Sequence, residues 1–451
     1  MSQPLSHSEL NAEDPTRRAA RFARVVPLAF ITYSLAYLDR VNWGYAESGG
    51  MKATLGISAE LASFTAAAFF IGYVLFQIPG ASYAAHRSAK RIIFWALLLW
   101  GGLSVLTGIV NTVSLLITVR ILLGVVEGVV FPSLLVFLTH WFTKPERSRA
   151  NTLLILGNPL TVTWASAVSG YVIEYFNRHH VGRLTGWQMM FVVEGLPSIL
   201  WAYLWLFLAD DRPADARWLS ESEAVAVQDA LAQEQRSIPI MANYWIAFTD
   251  SRVLLLCAQF MTWSIGIYGF VMWLPTIVKE GSQRGVGQSG LLTAIPYLLS
   301  CVVMFSVSVI SDRRLVRKPY VWPPLLLGAL ALYGSYLAGP SHFGYAFLGL
   351  IVAGMCMYAP YGPFWAMVAE MVPKNVVGES MALINTLGAV GGFFGTFLVG
   401  WIKDTAGLSA AFAFMAAALV ASGIFTLLVR VRPSHPAGAF RVLPLEAGKR
   451  S

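Results

Sequence analysis

The stretch VVPLAFITYSLAYLDRVNWGYA, residues 25–46, decides the fold. Its length suits a single helix crossing the roughly 30 Å hydrocarbon core of a bilayer. Yet Asp39 and Arg40 stand side by side within it. At about 1.5 Å per residue, Asp39 lies roughly 21 Å along that helix, close to the bilayer midplane. An ionisable group there costs roughly 2.5 kcal/mol or more unless it faces a cavity or a partner. The stretch therefore reads as a membrane helix that carries part of a functional site.

The rest of the chain repeats the pattern. Of 451 residues, 56% are hydrophobic and only 12% charged, about half the charge of a typical soluble protein. Twelve apolar segments are expected to span the membrane: 25–46, 61–85, 92–110, 113–139, 151–175, 187–209, 253–278, 288–310, 319–338, 343–369, 379–402 and 408–430. Their length favours helices over barrel strands, which run to about ten alternating residues. The fold class is an all-α integral membrane protein. Residues 1–24 are polar and the first apolar run is too long for a signal peptide's core.

Lysine and arginine set the expected orientation, because cytoplasmic loops retain an excess of both. With the N-terminus inside, the cytoplasmic side collects 24 of the 32, the outside 6, and 2 lie within helices. Both termini are then cytoplasmic. The net charge of +8 flanks helix ends instead of forming a patch on a folded domain, so no nucleic-acid partner is expected. Cys257, Cys301 and Cys356 show no paired spacing, and neither disulfide nor metal site is assigned.

The longest polar insertion, 210–252, separates six helices from six. The expected organisation is an N-terminal tail at 1–24, a six-helix bundle at 25–209, a linker at 210–252, a second bundle at 253–430 and a tail at 431–451. Within the linker, Ser220 followed by Glu223 makes a capping-box pattern that begins a helix. Both bundles carry a basic loop after their second helix, AHRSAKR at 85–91 and SDRRLVRK at 311–318. Two six-helix halves with matched loops suggest a secondary transporter that rocks around a central site.

Charges at bilayer depth are few, and all lie in the first half. Asp39 and Arg40 are on helix 1, Arg120 and Glu127 on helix 4, and Glu194 on helix 6. Adjacent helical positions diverge by about 100°, so Asp39 and Arg40 need different partners. Arg120 and Glu127, seven apart, share one face, with Gly124 between them where a helix or a substrate could approach closely. A purely structural buried network is one reading. The sharper one is proton coupling, since burial favours the protonated carboxyl and a nearby arginine favours the ionised one. A guanidinium freed from its acid is a bidentate ligand for a substrate carboxylate. Glu194, nearer the outer end of its helix, reads equally as a packing residue or a proton carrier and is not assigned to the site.

The second half must contribute without charge. Gln259, Trp263 and Tyr268 on helix 7, Tyr358, Tyr361 and Trp365 on helix 10, and Asn385 on helix 11 can hydrogen-bond hydroxyl and carboxyl oxygens. The segment YAPYGPFW, 358–365, holds two prolines that interrupt helix bonding, and irregular backbone at that depth belongs beside protein or a cavity.

These motifs resemble the major facilitator superfamily along nearly the whole chain, and within it the anion:cation symporter family of tartrate, phthalate, sugar-acid and aldonate permeases. YLDRVN at 37–42 is similar to the family's helix 1 signature, and RILLGVVEGVVFPS at 120–133 to its helix 4. WFTKPERSRA at 141–150, GWQMMFVVEGLPSIL at 186–200 and DRPADARWLSESE at 211–223 resemble the loops and helix 6 that accompany them. The resemblance implies proton-driven import by alternating access. By matching motif, Asp39 and Glu127 would be the protonated carboxylates, Arg40 and Arg120 would link protonation to the anion, and Tyr37, Tyr73 and Asn385 would line the site. The loop after helix 2 departs from the superfamily pattern, with Ala85 at the Asp position and Ser88 at the second Gly.

The expected function is a proton-coupled symporter for a small organic anion, a hydroxylated carboxylate such as a sugar acid or tartrate. It would work as a monomer in the bacterial inner membrane, without a cofactor. Proton coupling is assigned to Asp39, Glu127 and Arg120, and substrate binding to Arg40, Tyr37, Tyr73, Gln259, Tyr361, Trp365 and Asn385. The alternatives are a transporter of a neutral polyol or sugar, a sensor that does not transport, and coupling to sodium, which needs several converging oxygens. An enzyme is disfavoured because no H-E-x-x-H pair, G-x-S-x-G turn or Cys/His cluster occurs.

Overall fold

The computed structural model describes residues 15–179, 182–236, 250–371 and 377–429. The expected C-terminal tail, most of the N-terminal one and part of the linker lie outside these residues. Among the described residues every regular element is helical. Twelve helices are long and apolar enough to cross a membrane: α1 Arg18–Ser48, α2 Ala59–His86, α3 Ala89–Ile109, α4 Val113–Thr139, α5 Arg149–His179, α6 Gly186–Leu208, α7 Ser251–Ser282, α8 Val286–Arg314, α9 Lys318–Ala338, α10 Pro340–Met371, α11 Ser380–Ala406 and α12 Leu408–Leu428.

The helices outrun their apolar stretches. The helix containing α1 begins at Pro15, ten residues before the expected 25, and that containing α5 begins at Lys144 instead of 151. Hydropathy marks only the part in hydrocarbon, whereas a helix satisfies its own backbone and continues into the interface. The added turn of α1 is not merely solvated: Arg21 is buried, and its Nη2 donates to Glu146 Oε1 at 2.9 Å. Arg18 reaches the same oxygen at 3.0 Å. The linker helix Glu221–Arg236 follows its capping box, in which Ser220 N donates to Glu223 Oε2 at 3.0 Å.

Two helices break where the site will be. α4 consists of Val113–Gly128 and Val130–Thr139, and α10 has a break after Tyr358 that resumes at Tyr361. Pro360 supplies the second break, having no N–H to continue the ladder.

Helix packing repeats with an offset of six. α3 packs on α6 as α9 does on α12; α2 on α4 as α8 on α10; α1 on α5 as α7 on α11. The two halves meet through α2 with α11 and through α8 with α5, which are the same pair under that offset. Small residues bring the α5 and α8 backbones together: a Cβ on Gly170 would stand 2.7 Å from the Val286 carbonyl oxygen, and one on Gly290 would overlap the Ser166 carbonyl.

At the less basic end the halves are also latched. Lys279 of α7 donates to the Ser48 carbonyl at the end of α1. Glu174 accepts from Gly287 N at 2.9 Å and Asp404 from Glu60 N at 2.8 Å. Each contact sets a charged side chain of one half on a helix end of the other, with the sign that the helix dipole favours. At the basic end, Ser88 caps α3 by accepting from Arg91 N at 3.0 Å and donates to Asp211, which follows α6. The departure from the superfamily pattern at Ser88 thus ties the loop to its own bundle.

Candidate functional site

The site grows from two neighbours on α1 that turn to different sides. Asp39 accepts from Ser104 Oγ of α3 at 2.7 Å and lies 3.8 Å from Arg120 Nη1 of α4. Arg40 donates through Nε to Glu127, also on α4. The pairs are crossed: each helix gives one acid and one base. Asp39, Arg120 and Glu127 are at most 3% exposed and Arg40 is 6% exposed, so neither pair is screened by water.

α4 comes close enough because of Gly124. A Cβ there would overlap the Phe69 carbonyl of α2, so the close approach between Arg120 and Glu127 is made by a helix. This contact carries Phe69 and Tyr73 to the arginines. Arg120 is held between the rings of Trp43 and Phe69, at 4.9 and 5.2 Å from their centroids. Arg40 lies 4.5 Å from the Tyr73 ring centroid and 5.5 Å from that of Tyr37. Such cation–π contacts stabilise a desolvated guanidinium.

The second half closes the other side with neutral groups. Tyr268 stands near the Arg40 guanidinium together with Tyr33 and Tyr73, and its ring abuts Phe70 at 4.9 Å. Tyr361, also within range of Arg40, stacks on Tyr358 at 5.8 Å and packs against Trp263 at 4.8 Å. Tyr358 lies beside Tyr37. Arg40 thus lies against Tyr37 and Tyr73 of its own half, with Tyr268 and Tyr361 of the other half within electrostatic range. Asn385 Nδ2 donates to Gln77 Oε1 at 3.1 Å, joining α11 to α2.

Of the residues expected at the site, Asp39, Arg40, Arg120, Glu127, Tyr37, Tyr73 and Tyr361 come together in one cluster. Asn385 flanks it through Gln77. Trp365 sits further off, half-buried against Phe260 at 5.2 Å. Gln259 is fully buried with neither amide atom hydrogen-bonded, and Ser422 of α12 donates to its backbone carbonyl. Glu194, not assigned to the site, is buried beside Ser169 and Asn42. Ser104, Gln77 and Trp43 were not singled out beforehand. Each is a lone polar or aromatic residue in an apolar helix, with no pattern to mark it.

Residues 29–396 match the family described as Major Facilitator Superfamily. The chain belongs to that superfamily. Superfamily membership agrees with the twelve spans and makes the protein a membrane transporter rather than an enzyme. The chain is 31% identical to a protein of Agrobacterium vitis named "Putative tartrate transporter", over 90% of this chain and 89% of the other. It is 29% identical to the "Quinolone resistance transporter" of Acinetobacter baumannii, over 90% of this chain and 93% of that one. Among solved structures it shares its fold with a D-xylose-proton symporter, at a TM-score of 0.71 and 14% identity, over 90% of this chain and 97% of the other. Relatives of similar identity thus carry names with different cargo, and the cargo of this superfamily member has to be argued from its own site.

Proposed function

We propose that the protein imports a small organic anion together with protons, the anion being a hydroxylated carboxylate such as a sugar acid or tartrate. The observation that carries this reading is Arg40, buried, salt-bridged to Glu127 and set against the rings of Tyr37 and Tyr73, with Tyr268 and Tyr361 of the second half within electrostatic range. With Asp39, Glu127, Arg40 and Arg120 all ionised, the cluster is neutral. A proton taken by either carboxylate leaves one guanidinium uncompensated, and a substrate carboxylate neutralises it. Proton and anion therefore favour each other's binding, and by linkage the effect is reciprocal. Glu127 and the substrate compete for the Arg40 fork, whose planar donors match a carboxylate bidentately. Tyr37, Tyr73 and Tyr361, with Asn385 at the edge, offer hydroxyls and an amide to the substrate's hydroxyl groups. Trp365 and Gln259 extend the lining on the second half.

The lysine and arginine bias supports a bacterial inner-membrane protein with both termini in the cytoplasm, an orientation in which the latched end faces outside. The residues assigned to the site all come from one chain, and a monomer is the proposed working unit. The relative named for tartrate agrees with the anion reading.

The test is uptake into proteoliposomes driven by a pH gradient, with radiolabelled hydroxy acids set against neutral polyols. An acid is expected to accumulate only under an inward proton gradient, and Asp39→Asn to lose accumulation while retaining exchange. Accumulation of a polyol in place of any acid would remove Arg40's role as anion ligand. Active uptake by Asp39→Asn at the wild-type level would reject the coupling assignment.

A further inference from the structure

Between α1 and α7, at the latched end, lies a cavity of about 490 Å³ lined by Glu47, Ser48, Lys52, Thr276 and Lys279 among others. One turn before Ser48 the two helices touch, since a Cβ on Gly44 would stand 2.7 Å from the Met272 carbonyl oxygen. Glu47 is only 9% exposed, yet it borders this space. Its Oε1 accepts from Trp43 Nε1 at 2.9 Å, and its Oε2 is 3.9 Å from Lys52 Nζ.

Asp39, Trp43 and Glu47 follow one another at intervals of four and share a face of α1. The contacts run in the same order. The Glu47 carboxylate holds the Trp43 indole, the indole lies under the Arg120 guanidinium at 4.9 Å, and Arg120 is 3.8 Å from Asp39. Trp43 has no exposed surface, and its ring links the Glu47 carboxylate at the cavity to the buried ion pair.

We infer that Glu47 and Trp43 form a proton-operated latch between the outer cavity and the coupling site. This rests on the proton-coupled reading above. Ionised Glu47 holds the indole N–H in a charge-assisted hydrogen bond, a stronger link than one to a neutral acceptor. A proton from cavity water that binds the carboxylate neutralises it, weakens the grip on Trp43 and frees the ring to uncover Arg120 and Asp39. No other bond is made or broken in that step. The charged groups that face Glu47 are Lys52 on the short helix Met51–Leu55, Lys403 and Asp404 on α11, and Lys279, Glu280 and Arg284 on α7 around the cavity. All of them belong to the outer end, so this carboxylate senses the outer solution. Asp39 and Glu127 sense the interior of the bundle.

The experiment measures uptake against external pH, with substrate counterflow at equal pH as the control for folding and binding. Wild type is compared with Glu47→Gln, Trp43→Phe and Lys52→Gln. Glu47→Gln should keep counterflow within about twofold, and both it and Trp43→Phe should displace the external-pH midpoint of uptake by about one unit or more, as expected when a titrating group or its link is removed. Lys52 is partly exposed, so its replacement leaves the core intact. Removing that cation favours protonated Glu47, and Lys52→Gln should move the midpoint to higher pH. Wild-type profiles in Glu47→Gln and Lys52→Gln, with proton-driven uptake present, would overturn the latch and leave the coupling reading standing. Loss of the midpoint displacement in Lys52→Gln alone would overturn it equally if Glu47→Gln does not reach the membrane. Absence of proton-driven uptake in the wild type would instead overturn the coupling reading itself.

Discussion

The two halves of this transporter pack by the same plan and carry opposite chemistry. Under an offset of six helices their contacts coincide, yet the first half buries Asp39, Arg40, Glu47, Arg120, Glu127 and Glu194, while the second buries no charged side chain among the described residues. Where α1 and α4 exchange acid for base, α7 and α10 present Tyr268, Tyr358, Tyr361 and Trp263. The lesson is that one packing plan can carry two chemistries. Under the proposed proton-coupled reading, the ionisable groups of one half suffice for coupling, and the neutral half would meet the substrate without adding a competing proton site.

The comparison breaks most sharply at Arg40. Arg40→Lys retains the charge but loses the fork, and transport affinity should fall roughly 10- to 100-fold, the value of a charge-assisted bidentate contact at about 1.5–3 kcal/mol. Concentration dependence of initial uptake checks this, and unchanged kinetics would make the residue structural. A smaller effect is expected across the divide. Asn385→Ala removes one neutral hydrogen bond, worth about 0.5–1.5 kcal/mol, so KM should rise roughly two- to tenfold while the proton-to-substrate ratio stays fixed. Paired flux measurements of proton and substrate would expose a changed ratio, and with it a coupling role for the second half. The smallest effect is expected from Trp365→Phe, which keeps an aromatic ring against Phe260 at the rim of the cluster. Uptake of the best substrate should change less than about fivefold, with any difference appearing in the ranking of related substrates, because the retained ring keeps the loss to about 1 kcal/mol, within the roughly 0.5–1.5 kcal/mol of an aromatic contact.

Much of this architecture was legible in the sequence, for a physical reason. A membrane helix must be long and apolar and cannot hide a charge, so the twelve spans and the residues Asp39, Arg40, Arg120 and Glu127 announce themselves. The pairing of those charges was less accessible. Spacing showed that Asp39 and Arg40 diverge, but the crossed partners depend on how α1 meets α4. Neutral polar residues were harder still. Ser104 bonds to Asp39, whereas Thr107, three residues further on, bonds back to the Leu103 carbonyl of its own helix. One belongs to the site and the other only to its own turn, and nothing in the apolar run around them tells the two apart. Trp43 shows the same limit, since one more tryptophan in a chain with 15 reads as packing until the arginine above it is seen.

The meeting of α5 and α8, made of Gly170, Gly287, Gly290 and the Ser166 backbone, acts as a bearing. Interdigitated side chains resist sliding as well as separation, because each must leave its socket before the next can take it. Where Gly170 and Gly290 meet the facing main chain, little side chain stands in the way. Under the proposed transport cycle, friction would be low there, and the effort of each stroke would fall where charged side chains grip helix ends, at Lys279, Glu174 and Asp404.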